Sequence, residues 1–98
     1  FYWSDRGLVA GDHFTLSLDE PSESKKLTIL LGTDRYRQEY VHVGVLEMQD
    51  EDGTWAELVK LNSARVEVEL PGGRVKAFRL RVDEPQRFWL IVSEIEME

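Results

Sequence analysis

Cysteine is absent from the 98 residues, so no disulfide braces the chain and no thiol can serve as nucleophile or metal ligand. Histidine is nearly absent: His13 and His42 are the whole supply, and both are read as ordinary strand residues. Positive charge is short. Twelve Lys and Arg stand against nineteen Asp and Glu, a formal net charge of −7. That balance sets the chain against nucleic acid, whose phosphates are held by Lys and Arg, and against an anionic membrane surface. No apolar run approaches the roughly 18 residues that cross a bilayer, and residues 88–92 are read as a short buried strand. No glycine-rich phosphate loop and no secretory leader pattern is found. The chain opens on Phe1 with residues that already look like the middle of a domain, so it is expected to be a piece of a larger protein.

What is present is a strand pattern. One domain, residues 1–98, is expected to bury about 60–65% of its unfolded surface. Apolar residues recur with period two, as in strands that bury one face. Phe14, Leu16 and Leu18 form one such set, and Leu27, Ile29 and Leu31 follow after a polar loop containing Pro21. Val41, Val43 and Val45 lead into a hairpin at Asp52-Gly53, where Gly tolerates the positive φ of a tight turn, and Trp55 and Leu58 lead out. Val66, Val68 and Leu70 stop at Pro71-Gly72-Gly73, and Phe78, Leu80 and Val82 come next. A last strand puts Trp89, Ile91, Ile95 and Met97 on one face, with Glu94 and Glu96 on the other. Seven short strands and no amphipathic helix predict an all-β, antiparallel β-sandwich of jelly-roll type. Parity adds a constraint. If strands run alternately up and down, Trp3 and Asp5, the 33–40 loop, residues 61–64 and the 83–88 loop share one end. That end is rich in Tyr, Arg and carboxamide groups, while the other holds plain turns.

Four segments in order resemble the discoidin, or coagulation factor C-type, domain. Phe1-Tyr2-Trp3-Ser4 with residues 11–18 is similar to its "FWS…GD.F.LDL" opening. Residues 44–47 with Asp52-Gly53-Thr54-Trp55 resemble its "G.LE.S.DG..W" hairpin. Residues 75–81 resemble its "VRYVRLR" strand, and residues 89–95 its closing "W.A..REI" strand. The loops look most like those of bacterial carbohydrate-binding modules attached to secreted glycoside hydrolases, including hyaluronidase-like β-N-acetylglucosaminidases. The resemblance implies a discoidin-type jelly roll lacking the family's N-terminal strand. It also implies a secreted or periplasmic location and a galactose-binding-like accessory role beside the catalytic domain of the same parent chain. A structural calcium ion is implied in part, since Glu94 matches the family's C-terminal calcium-ligating glutamate.

The chemistry supports binding over turnover. Hydrolysis of a glycoside needs two carboxylates facing each other across a cleft, and none is signalled. The acidic run Asp50-Glu51-Asp52-Gly53 fails as a helix-loop-helix calcium loop, because that register puts Met48 and Val59 at ligand positions. Sugar binding needs an aromatic face and hydrogen-bonding groups. Tyr36 and Phe88 are the platform candidates, with Arg35, Arg37, Tyr40, Gln86 and Arg87 beside them. Trp3, Trp55 and Trp89 are assigned to the core. The expected function is non-catalytic binding of N-acetylhexosamine- or galactose-containing glycans, with the parent a bacterial glycoside hydrolase. The alternative is a structural domain that packs on the parent's catalytic domain through the 33–40 and 83–89 loops.

Overall fold

A computed structural model describes residues 2–4, 7–32 and 40–98, with only the backbone of Tyr2 and Trp3. Its strands are β1 (Tyr2–Trp3), β2 (His13–Glu23), β3 (Lys26–Leu31), β4 (Gly44–Asp50), β5 (Trp55–Leu61), β6 (Arg65–Glu69), β7 (Arg74–Val82) and β8 (Ile91–Met97). They form two four-stranded antiparallel sheets, ordered β1-β8-β3-β6 and β2-β7-β4-β5. That order is the eight-stranded jelly roll, so the expected β-sandwich is what the chain forms.

The core lies between the sheets. Leu27 and Ile29 from one sheet and Leu46, Phe78, Leu80 and Val82 from the other are almost fully buried. Phe14, Leu16 and Leu18 pack against them from the edge strand β2. In β4 the alternation has the opposite phase to the one expected. Leu46 and Met48 face inward opposite Leu80 and Phe78, which sends Val45 outward and leaves Val43 43% exposed. Period two fixes which residues share a face but not which face is inner, and one residue of register exchanges them. Gly44 sets the start of the strand: a Cβ there would lie 2.1 Å from the Arg81 carbonyl oxygen.

Two further expectations shift. Pro21 lies within β2 and not in a loop; β2 is an edge strand, where a missing N–H costs no ladder bond, and its register slips between Ser17 and Ser22. The hairpin turn is longer than two residues. The Gly53 N–H donates to the Asp50 carbonyl, Gly53 takes φ 91°, and Asp50 Oδ1 accepts from the N–H groups of Asp52 and Thr54. This is a type I turn closed by a left-handed glycine.

Strand pairing also fixes the poles. The starts of β2, β4, β6 and β8 and the ends of β1, β3, β5 and β7 lie together. Among the described residues, 7–12, 40–43, 62–64 and 83–90 therefore share one rim, the end that parity assigns to the 83–88 loop; residues 33–39 lie outside the described residues. The turns at residues 51–54 and 70–73 lie at the opposite pole.

Candidate functional site

The rim is built by residues 40–43 and 83–90, and alternation in an extended segment shapes its first half. Val41 is fully buried, so Tyr40 and His42 on either side of it project the same way. Their rings stack with centroids 4.2 Å apart and planes 10° from parallel. Phe88 continues the pile from the other loop, its centroid 5.2 Å from that of His42 and its plane at 9°. The Arg87 guanidinium carbon lies 5.1 Å from the Phe88 centroid, within cation–π range.

Gln86 holds the two loops in register. Its Nε2 donates to the carbonyls of Tyr40 at 2.7 Å and Phe88 at 3.1 Å, and its Oε1 accepts from the His42 N–H at 2.9 Å. Its own backbone forms a bridge with Leu8, both hydrogen bonds at 2.8 Å. Leu8 is buried, so the segment before β2 is anchored on the same loop. Ser4 closes the start of β8: its Oγ accepts from the Leu90 N–H, and its own N–H donates to the Leu90 carbonyl. Around the stack, Val9, Val43 and Trp89 remain exposed.

The structure thus brings Tyr40, Gln86, Arg87 and Phe88 to one place. Tyr36, Arg35 and Arg37 lie outside the described residues. His42 is the member that sequence reasoning missed. The alternation of Val41, Val43 and Val45 puts it inside a strand; β4 begins only at Gly44, and His42 is a rim residue. The signal that could have found it is the spacing Tyr40–His42 beside an aromatic loop, once Val41 is taken as the buried member.

The tryptophans also differ from expectation. Trp89 is 44% exposed, one residue before the buried Leu90. Trp55 pairs with Gln49 on the outward side of its sheet, where the Arg79 guanidinium carbon lies 4.0 Å from its ring centroid. Both place an aromatic side chain where a period-two reading carries no inner or outer label. The side chain of Trp3 is not described.

Glu94 stands on the exposed side of β8, in a shallow groove with Thr28, Leu30, Arg65 and Glu96. Calcium takes 6–8 oxygen ligands, and among the described residues no three His, Cys, Asp or Glu side chains come together to hold a metal. The groove's own residues, with a guanidinium among them, do not fit calcium.

No protein-family model matches the chain, and no curated protein matches it. A solved structure from Bacteroides ovatus, described as "a putative alpha-L-fucosidase", matches with a TM-score of 0.67 at 20% identity. The match covers 97% of this chain and 16% of that one, so this fold makes up a small part of a much longer protein. At that identity the likeness establishes the fold.

Proposed function

We propose that the chain is a non-catalytic glycan-binding domain of the discoidin type, an accessory to a bacterial glycoside hydrolase. The observation that carries the reading is the Tyr40–His42–Phe88 stack, joined by Arg87, on the loop-bearing rim. Pyranoses lay their C–H faces on aromatic rings and give their hydroxyls to charged or amide groups, and the rim supplies both kinds of partner. The Bacteroides ovatus neighbour supports the context, because its description is that of a glycoside hydrolase in which this fold is a minor part. The parent would act on N-acetylhexosamine-, galactose- or fucose-containing glycans outside the cytoplasm. Tyr36 and Arg37 would extend the platform from the adjoining loop. A structural calcium ion on Glu94 would need ligands from beyond the described residues.

A site of this kind gives affinities near millimolar, about −4 kcal/mol, made useful by attachment to an enzyme. Isothermal titration with galactose, N-acetylglucosamine and L-fucose tests it. Heat with at least one sugar, lost in Phe88→Ala, is the expected result. Silence with all three at tens of millimolar refutes it. One observation favours a second reading, a structural domain docked on its parent's catalytic domain. Gln86 spends both amide hydrogens internally, and Val9, Val43 and Trp89 expose apolar surface around the same rim. Under that reading the rim is covered in the parent protein, and no sugar gives heat.

A further inference from the structure

The outward side of the β2-β7-β4-β5 sheet carries an assembly that the rim does not use. Register aligns Thr15, Arg79, Glu47 and Glu57 in one row across four strands, and Ser17, Ala77, Gln49 and Trp55 in the next. Side chains on the solvent side of a sheet are ordinarily wet, yet Glu47 is 6% exposed and Ala77 2%. Arg79 organises this face. It reaches from β7 across β4, donating Nε to Glu47 Oε1 at 3.0 Å while its guanidinium lies over Trp55 on β5. Arg81 locks the flank. Its Nε donates to Asp83 Oδ1 at 2.9 Å and its Nη1 to Glu57 Oε1 at 3.1 Å, with Glu47 Oε2 at 3.5 Å. The indole and guanidinium are therefore held in place before any ligand arrives, which lowers the ordering cost of binding.

Arg79 is incompletely used. Its side chain is 20% exposed, and among the described residues no acceptor lies on its two Nη amines. A guanidinium has five N–H donors, and among the described residues only the Nε–H finds an acceptor. An indole capped by a guanidinium with open donors at its edge suits a ligand that alternates C–H faces with oxygen acceptors, which is the chemistry of a saccharide. Charge selects among saccharides. On this face Glu47, Glu57 and Asp83 offset Arg79, Arg81 and Lys60, and the whole chain carries −7, so an acidic glycan is disfavoured. Length is set by the sheet. Three inter-strand gaps of about 4.8 Å make a row about 14 Å long, longer than one sugar ring.

We propose that this sheet face is a saccharide-binding surface separate from the rim, on which Trp55 and Arg79 hold a neutral oligosaccharide laid across the strands. It does not depend on the rim reading. The test is an amide and indole shift map of the 98-residue chain with tetra-N-acetylchitotetraose, a neutral galacto-oligosaccharide and an oligogalacturonate. A neutral oligomer is expected to move the Trp55 indole resonance and the amides of Thr15, Gln49 and Arg79, and to do so unchanged in Phe88→Ala. Trp55→Ala, which removes an outward side chain and leaves the core intact, is expected to weaken that binding about tenfold or more. Arg79→Lys keeps a cation for Glu47, loses the guanidinium donors, and should weaken it comparably. The proposal is overturned if shifts are confined to the rim or if neither neutral oligomer moves the sheet face. It is equally overturned if only the acidic oligomer does so, or if both substitutions leave the affinity unchanged.

Discussion

Replacing Gln86 with alanine removes the clamp between the two rim loops. Three hydrogen bonds are lost, at 2.7, 2.9 and 3.1 Å, and all three partners are backbone groups in partly buried positions. A typical net contribution of about 1 kcal/mol per bond gives about 3 kcal/mol, reduced toward 2 where water reaches the freed groups. For a domain of this size that is roughly a 10 °C fall in Tm. Urea unfolding followed by tryptophan fluorescence measures it. Gln86→Glu sharpens the test. The carboxylate keeps the acceptor for the His42 N–H but faces the carbonyl oxygens of Tyr40 and Phe88 with no donor. Folding then disfavours the charged form, so its folded-state pKa rises above the unfolded value. The deficit is greatest at neutral pH and shrinks as pH falls through that raised pKa. A Gln86→Ala variant within about 0.5 kcal/mol of the parent would refute the clamp, as would a Gln86→Glu variant whose deficit grows on acidification.

Other perturbations have defined outcomes. Leu27→Ala and Phe78→Ala each empty a fully enclosed core site and should cost about 3–5 kcal/mol in the same assay. Gly44→Ala puts a methyl 2.1 Å from the Arg81 carbonyl and 2.7 Å from Val41 Cγ1, and should destabilise by at least about 2 kcal/mol, visible as a lowered Tm. Glu47→Ala leaves Arg79 and Arg81 short of a carboxylate, and urea unfolding should report a loss of about 2–3 kcal/mol. Glu67 accepts a hydrogen bond from Arg65 and lies near Lys26, which lowers its carboxyl below the ordinary 4.5. Its small contribution is present at neutral pH and fades as pH falls below that value; carboxyl NMR should show the pKa returning upward in Arg65→Ala.

Much of this fold can be read from residue type alone, because half-buried strands must alternate. Leu27, Ile29 and Leu31 are buried in turn, as are Phe78, Leu80 and Val82, and the parity of seven strands already gathers the rim loops. What alternation cannot supply is phase and partner. Val45 and Trp55 face outward because register with β7 and β4 puts them there, not because of anything local. β1 escapes notice because its two residues are strand only by pairing with Ile91 and Val92, almost the whole chain away. His42 reads as a strand residue until Gly44 is seen pressed on the Arg81 carbonyl, which delays the strand and frees the histidine to stack. The Gln86 clamp has no sequence signature, since a carboxamide in a loop looks the same whether it meets solvent or backbone.

The most direct measurement is a backbone amide shift map with galactose, N-acetylglucosamine and L-fucose at tens of millimolar. A binding rim predicts saturable shifts at residues 40–42 and 86–88 with at least one sugar, and none at residues 51–54 or 70–73. Spectra unmoved by all three sugars, or moved only at the opposite pole, would contradict it.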